Sequence, residues 1–247
     1  MKTVFINCSP KKRFCASSYF LFLERLFLGG EKVLEKLRTP ADHDRILSQL
    51  QDAQTVVFGV PLYVDGIPSH VLSFLQKMEA FCREKGLRLN VYVIANNGFI
   101  EGKQNEPLMQ LFGHFCARAG LSFRGGVGVG GGVMLNVTRI LFVVQVGLLL
   151  LNIVLSAVKT GDFFPSAAWS SFLENAGILL FLNLGVLFYL IRMARCIRKG
   201  SDSGKRYTRI MVPSFLFILF ADIFFIIISV LQGGIFRGWL SKKQPEA

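Results

Sequence analysis

The sequence predicts an α/β fold for residues 1–133, a doubly wound sheet of five parallel strands, followed by three transmembrane helices within residues 134–247. Two observations carry this prediction. Short strand-type runs rich in Val, Ile and Phe alternate with helical patterns five times before Gly132. After Gly132 the alternation stops, and three long apolar runs follow.

Five short apolar runs are the expected strands. The third is a continuous Val/Phe run that ends at Pro61, which is typical of a central parallel strand covered on both faces. The second, at 32–37, is a weak candidate. The strands are expected at 3–7, 32–37, 55–60 and 89–95, with a glycine-rich fifth strand from 121 onward.

Four helices are expected between these strands. Ser17 and Ser18 can cap the first helix, Thr39-Pro40 opens the second, and Pro68 opens the third. Apolar residues recur at helical spacing in each segment. The helices are expected over 17–28, 40–50, 68–78 and 107–119.

Polar and glycine-rich loops follow three of the expected strands. Ligands of doubly wound sheets bind outside the carboxyl ends of the strands, where the strand order reverses. These ends correspond to residues 7–18, 61–68 and 96–104, whereas the loops at the opposite edge are plain turns. The three loops therefore predict the ligand-binding edge of the sheet.

The same three loops carry a resemblance to a known family. Asn7-Cys8-Ser9-Pro10-Lys11 resembles the Asn-Gly-Ser-Pro-Lys phosphate loop of the flavodoxin-like, NAD(P)H-dependent FMN reductases. Residues 61–68 (PLYVDGIP) are similar to that family's second flavin loop, and residues 96–101 (NNGFIE) to its third. The resemblance covers residues 1 to about 133 and implies a flavodoxin-like sheet, FMN as cofactor and NAD(P)H as co-substrate.

The resemblance assigns binding roles to loop residues. Backbone N–H groups at the start of the first helix suit a terminal phosphate, with hydroxyl donors and a countercharge nearby. The expected phosphate-side residues are Ser9, Lys11, Ser17 and Ser18, and the expected ring-side residues are Pro61, Leu62, Tyr63, Val64, Asn97, Gly98 and Phe99. A solvated basic turn at 11–13 and core roles for the two aromatic residues are the alternatives. No catalytic acid or base is expected.

Cys8 departs from the family pattern, which has glycine at this position. Glycine lets a backbone approach a phosphate closely, so the larger side chain could weaken FMN binding. Cys8 and Cys15 have two open interpretations. They could act together as a redox pair, or, more simply, they could be buried or incidental thiols. The glycine-rich segment at 125–132 lacks GxGxxG spacing and is interpreted as a flexible strand end and linker. His43, His70 and His114 are scattered and predict no metal site.

Three apolar runs predict transmembrane spans at about 138–158, 172–191 and 210–231. Buried core helices are the alternative, but a domain of about 135 residues could not enclose three of them. Half of the net charge of +12 comes from a basic segment at 192–209, which is typical of a cytoplasmic loop between spans rather than of nucleic-acid binding. This orientation puts the N-terminal domain in the cytoplasm, with Trp169 and Trp239 at the outer boundary. Asp222, within the third run, is either functional or a hydrogen-bonded acid facing Asn152 or Asn183.

The sequence therefore predicts a multi-pass protein of the cell membrane that uses FMN to take hydride from NAD(P)H and reduce a small acceptor or a partner on the cytoplasmic side. A non-enzymatic flavin-binding or redox-sensing module coupled to a membrane-protein assembly is the alternative. No histidine follows His114, so the helices are expected to anchor the flavin domain rather than carry electrons. The fragment ending near Gly132 is expected to fold alone, and a homodimer is a candidate assembly.

Overall fold

The computed structural model describes residues 1–12, 15–63 and 66–231. Strands and helices alternate along most of this length, and a 3-10 helix at Gly102–Asn105 precedes α4. The strands are β1 (Lys2–Asn7), β2 (Glu31–Lys36), β3 (Thr55–Pro61), β4 (Asn90–Asn96), β5 (Ser122–Gly130) and β6 (Lys205–Arg209). The helices are α1 (Ala16–Leu26), α2 (Asp42–Leu50), α3 (Ser69–Lys85), α4 (Glu106–Ala119), α5 (Gly132–Thr160), α6 (Ser166–Lys199) and α7 (Ser214–Leu231).

The strands form one parallel sheet in the order β2-β1-β3-β4-β5-β6. The first five reproduce the flavodoxin-like order, in which the direction of winding reverses between β1 and β3. The predicted doubly wound α/β fold is therefore confirmed. The predicted number of strands, five, is wrong because a sixth strand adds to the edge.

Strand β6 comes from the basic segment that the sequence assigned to a loop. Its residues pair with β5 from Gly126 to Gly130. The side chains of β6 are mostly exposed or half-buried, so the segment lacks the apolar alternation that marks a strand. Its position is held partly by Glu106 of α4, which accepts hydrogen bonds from the Tyr207 hydroxyl and, at 3.0 Å, from the Lys205 ammonium group.

Helices cover both faces of the sheet. On one face, α2, α3 and α4 pack over Val56, Phe58 and Val93 in the main core. Side chains alternate along a strand, so Tyr92 and Gly59 belong to the opposite face. There a Cβ added to Gly59 would lie 2.7 Å from the Leu21 side chain of α1, and the Tyr92 hydroxyl reaches the Cys196 carbonyl oxygen of α6. Both faces of β3 and β4 are thus buried.

The glycine-rich segment is a strand under tight packing, which corrects its interpretation as a flexible linker. Residues 125–130 are all buried and lie within β5. A Cβ at Gly126 would collide with the carbonyl group of Val93 on β4, and one at Gly128 would lie 2.7 Å from the Tyr207 ring. Glycine is required here because neighbouring backbone and β6 side chains approach β5 too closely for any other residue.

Helices α5 and α6 form a long antiparallel pair inserted between β5 and β6. Asn183 of α6 donates a hydrogen bond to the Thr138 hydroxyl of α5 at 3.0 Å. The C-terminal part of α6 then packs on the sheet, where Val186, Leu190 and Ala194 are buried. The end of the predicted span at 172–191 therefore packs against protein on one face. Helix α6 serves as the crossover that covers the sheet between β5 and β6.

Contacts divide the chain into Met1–Met211 and Val212–Ala247. The first unit includes β6 as well as α5 and α6, so this division lies later than the boundary that the sequence suggests near residue 133. Helices α5, α6 and α7 are each long and apolar enough to cross a membrane. Asp222 is exposed on α7. Trp239 and the other residues after 231 lie outside the described part of the chain.

Candidate functional site

A cleft of 160 Å³ lies at the carboxyl ends of β1, β3 and β4. This is the edge that the sequence predicted for a ligand, next to the point between β1 and β3 where the winding reverses. All three predicted loops contribute, together with the first turns of α1 and α5. The lining residues are Ser9, Lys11, Cys15, Ala16, Ser17, Pro61, Leu62, Tyr63, Asn96, Asn97, Gly98, Val133 and Asn136.

The first loop is shaped by Asn7 at the end of β1. The side-chain oxygen of Asn7 accepts a hydrogen bond from the Ser9 amide at 3.0 Å, which turns the loop sharply after the strand. The Ser9 hydroxyl in turn accepts from the Lys11 amide at 3.4 Å. The loop leads into α1, whose N-terminus has no side-chain cap. The first N–H groups of α1 are therefore available to an anion in the cleft.

Cys15 stands at the N-terminus of α1 and lines the cleft, a role that the sequence did not predict. Burial by itself would raise the pKa of this thiol, but hydrogen bonds with Ser18, Asn7 and Ser9 outweigh that effect and lower the pKa from its usual value. The distance between the Asn7 amide nitrogen and the Cys15 sulfur is 3.6 Å. The cleft thus favours a negatively charged atom at the start of α1.

Cys8 does not enter the cleft. Its side chain is fully buried in the main core, where its thiol approaches the Ile6 carbonyl oxygen at 3.8 Å, and burial raises its pKa. Its backbone N–H donates to the Gly59 carbonyl at 2.9 Å, and its carbonyl oxygen lies 3.1 Å from Nε2 of His70. The departure from glycine therefore places a small apolar group in the core rather than in the cleft.

Asn96 joins the first loop to the third. Its side-chain amide donates to the Ser17 hydroxyl at 2.9 Å and to the Val60 carbonyl at 3.2 Å. Ser17 is therefore buried and held by a neighbour, while still lining the cleft. The sequence placed Asn96 in the third loop without assigning it to the site. Its position as the last residue of β4 was the available signal.

Backbone hydrogen bonds hold the second and third loops where they meet the cleft. Tyr63 and Gly66 exchange two backbone hydrogen bonds of 3.0 and 2.9 Å just after β3. The Leu62 amide donates to the Asn96 carbonyl at 2.8 Å. Asn97 points its amide nitrogen at the Glu101 carbonyl, 3.1 Å away, while its buried side-chain oxygen has no hydrogen-bond partner within the described part of the chain. That oxygen is an unsatisfied acceptor on a residue that lines the cleft.

Helix α5 forms a wall of the cleft, which the sequence did not predict. The chain turns at Gly131, whose φ of +70° favours glycine, and the Gly132 amide donates to the Asn97 carbonyl at 2.9 Å. This turn brings Val133 and Asn136 against the third loop. No local pattern signals the contact, because it depends on how β5 lies beside β4.

Most of the residues predicted for the site line the cleft. They are Ser9, Lys11, Ser17, Pro61, Leu62, Tyr63, Asn97 and Gly98. Ser18 does not, because its hydroxyl donates to the Cys15 carbonyl at 2.7 Å within the first turn of α1. Phe99 is 54% exposed beyond the cleft lining. Val64, like Arg13, lies outside the described residues.

No protein-family model matches the chain, and comparison with curated proteins gives no match. Similar solved structures include the Trp repressor binding protein from Bacillus subtilis, with 20% identity, a TM-score of 0.44, and coverage of 52% of this chain and 84% of that one. An azoreductase from Bacillus anthracis has 13% identity, a TM-score of 0.42, and coverage of 78% and 98%. The NAD(P)H:quinone oxidoreductase from Methanothermobacter marburgensis has 13% identity, a TM-score of 0.43, and coverage of 56% and 92%. The strand order assigns the fold independently of these distant similarities.

Proposed function

We propose that this chain is a membrane-anchored, FMN-dependent oxidoreductase that takes hydride from NAD(P)H and reduces an acceptor on the cytoplasmic side. The observation that carries the proposal is the convergence of the three loops and the uncapped N-terminus of α1 on one cleft at the β1/β3 switch point. The named similarities to azo and quinone reductases agree with this class of reaction.

The residues present fit a flavin mononucleotide. The start of α1 offers backbone N–H groups, and Lys11 adds a positive charge, which together suit a phosphate dianion. The orphaned oxygen of Asn97 suits a ring N–H group. The cleft, at 160 Å³, is smaller than pockets of about 300–1,000 Å³ that enclose whole ligands. We therefore expect it to enclose only part of the FMN, the phosphate at the start of α1 and the polar edge of the ring at Asn97, with the rest of the ring near the exposed faces of Tyr63 and Phe99.

When bound, FMN supplies two-electron chemistry with a nicotinamide, and the protein supplies binding and orientation. Lys11 and the start of α1 hold the phosphate, while Asn97 and Gly98 fix the polar edge of the ring. The two backbone hydrogen bonds between Tyr63 and Gly66 would hold Tyr63 beside the ring. No side chain of the cleft is needed as a proton donor for hydride transfer itself.

The membrane anchor follows from the apolar helices α5, α6 and α7. Helix α5 starts at the sheet, and α6 returns to it, so the basic residues at the end of α6 belong to the same body as the cleft. We place this body in the cytoplasm by the positive-inside rule, where reduced nicotinamide is available.

Titration of purified protein with FMN and with riboflavin tests the proposal. Loaded protein should absorb in the flavin bands and be bleached by NAD(P)H under anaerobic conditions. Lys11→Gln should weaken FMN binding at least about tenfold, since a charge-assisted hydrogen bond contributes about 1.5–3 kcal/mol, and should change riboflavin binding little. Lys12→Gln is the matched control, because Lys12 is exposed and does not line the cleft.

Two results would contradict the proposal in different ways. Protein that takes up no FMN would exclude the flavin site. Protein that binds FMN but is not bleached by either nicotinamide would favour the non-enzymatic flavin-binding or redox-sensing module. If Lys11→Gln and Lys12→Gln weaken FMN binding equally, the phosphate does not lie beside Lys11 as proposed.

A further inference from the structure

A second cavity lies beside the cleft, between α1 and the two long helices α5 and α6. Its volume is 480 Å³, and its lining is largely apolar. We call it the groove. It is lined by Tyr19, Phe22 and Leu23 of α1, by Thr138, Arg139, Phe142 and Val143 of α5, and by Ala176, Leu179, Leu180, Asn183 and Leu187 of α6.

The groove lies at the point along α5 where the charged residues end and the uncharged apolar run begins. Arg139 is the last charged residue of α5 before the uncharged run at 140–158. Phe142 and Val143 are 44% and 66% exposed, and Leu180 on α6 is 54% exposed. With α5 in a bilayer, these side chains face acyl chains, whereas Arg139 lies at the interface. The open side of the groove therefore faces the membrane rather than water.

The groove and the cleft share two helices. Along α5, Val133 and Asn136 line the cleft, and Thr138 and Arg139 line the groove. Asn136 and Arg139 are three residues apart, a rise of about 4.5 Å along the helix. Along α1, Ser17 lines the cleft and Tyr19 lines the groove. The two cavities are thus neighbours at the junction of the sheet with the long helices.

A polar cluster marks this junction. The Tyr19 hydroxyl donates to the Asn183 side-chain oxygen at 3.1 Å, and the Asn183 amide donates to the Thr138 hydroxyl at 3.0 Å. The Arg139 guanidinium carbon lies 5.7 Å from the centre of the Tyr19 ring. The groove is therefore apolar towards the membrane and polar beside the cleft. This polarity matches a molecule with a polar head and an apolar tail.

We infer that the groove is the route by which an electron acceptor dissolved in the bilayer reaches the cleft. The acceptor has a flat, reducible head and a hydrocarbon tail, and the tail occupies the groove between α5 and α6. This inference rests on the proposed function and on its placement of α5 and α6 in a membrane. Overall, NAD(P)H is oxidised to NAD(P)⁺, and the acceptor gains two electrons and two protons, one from the hydride and one from water.

Binding can be measured without flavin and without turnover. Full-length protein in phospholipid nanodiscs, stripped of FMN, carries Phe142→Trp as the single tryptophan, with Trp169→Phe and Trp239→Phe. A benzoquinone with a ten-carbon tail should quench this tryptophan saturably, whereas the same head without a tail should not. Leu151→Trp in the same background is the control, because Leu151 is 53% exposed on α5 and does not line the groove. It should show only linear, collisional quenching.

Filling the groove tests its link to the cleft. Ala176→Phe should abolish the saturable quenching and raise the KM for the tailed benzoquinone at least tenfold in FMN-loaded protein. The KM for the tail-less head should not change. Gly177→Phe is the matched control on α6, because a Cβ there meets nothing within 4 Å. Anaerobic bleaching of the flavin by NAD(P)H should be the same in both variants.

The outcomes distinguish a failure of the groove inference from a failure of the proposed oxidoreductase function. Suppose that the protein binds FMN and is reduced by NAD(P)H but shows no saturable quenching, or that Ala176→Phe changes the KM equally for the tailed and tail-less benzoquinones. Either result refutes the role of the groove and leaves the proposed reductase function intact. Saturable quenching that a saturated fatty acid displaces with equal affinity shows a lipid site and refutes the acceptor route. Protein that binds no FMN refutes the reductase and, with it, the acceptor role.

Discussion

The hydroxyl of Tyr92 in β4 donates a hydrogen bond to the Ser201 carbonyl oxygen, 2.7 Å away and 109 residues later in the chain. The same hydroxyl lies 3.3 Å from the Cys196 carbonyl oxygen at the end of α6. Burial raises the pKa of Tyr92 to about 12, so this group stays a donor at physiological pH. The face of β4 that carries Tyr92 is therefore covered by the end of α6 and the residues that follow it.

Truncation should show that the sheet domain extends beyond the boundary near residue 133 that the sequence suggests. A fragment of residues 1–132 leaves the edge of β5 unpaired and removes α6 from the face that carries Tyr92, so we expect it to aggregate. A chain of residues 1–211 in which residues 140–181 are replaced by a short Gly/Ser linker keeps both features and lacks α7. Thr138 and Asn183 are hydrogen-bonded neighbours, so such a linker spans the gap without strain.

Size-exclusion chromatography and circular dichroism without detergent distinguish the two shortened chains. The linker variant should be monodisperse and should bind FMN as the full chain does. A fragment of residues 1–132 that is folded and soluble would show that β6 is dispensable and would support the domain boundary that the sequence suggested.

The glycines of β5 should tolerate no side chain where backbone approaches them. A Cβ at Gly126 would collide with the Val93 carbonyl group, which a rotamer change cannot relieve. We expect Gly126→Ala to lower the free energy of unfolding by about 3 kcal/mol, as measured by denaturant titration. Gly113→Ala is the control, because its Cβ would lie 3.7 Å from the Phe123 ring and alanine favours the α4 helix by about 1 kcal/mol. Equal effects of the two substitutions would contradict the close packing of β5.

Glu24 of α1 should make stability fall as pH rises. It is fully buried, its carboxylate oxygens have no hydrogen-bond partner within the described residues, and burial raises its pKa well above 4.5. The folded chain therefore keeps a proton that the unfolded chain releases above pH 4.5. The stability present below that pH is lost progressively as the pH rises towards the folded-state pKa.

Glu24→Gln, which cannot ionise, should remove this loss. The difference in melting temperature between Glu24→Gln and the parent chain should grow in favour of the variant from pH 5 upward. Glu31→Gln, at an exposed position on β2, should follow the parent chain. A difference that shrinks with rising pH would show that Glu24 is stabilised as a carboxylate.

Thiol labelling in intact cells tests the proposed orientation. In a Cys196→Ser background, a membrane-impermeant reagent should label Ser166→Cys, at the exposed start of α6, because that end lies outside. Lys199→Cys, exposed at the other end of α6, should be labelled only after the membrane is permeabilised. Ser203 is unsuitable as a reporter because it is buried and donates to the Arg124 carbonyl. The reverse pattern would place the cleft outside the cytoplasm and contradict the use of NAD(P)H.

Local pattern was sufficient for most of the fold. Strands β1, β3 and β4 are continuous apolar runs that end in polar loops, and the period of two or 3.6 residues is a property of the neighbouring sequence alone. The loops that begin at Asn7, Pro61 and Asn96 were therefore assigned to one edge of the sheet before any contact was known. The apolar length of α5, α6 and α7 was equally visible.

Only the tertiary structure decided the remaining features. Lys205–Arg209 carries no strand pattern and becomes β6 because it pairs with the edge of β5, where Gly128 leaves room for the Tyr207 ring. Val133 joins the cleft because the turn at Gly131 sets α5 against the third loop. Cys8 and Cys15 were equivalent in the sequence, yet one lies in the core and the other in the cleft. These outcomes depend on contacts between distant segments, whose geometry no local periodicity encodes.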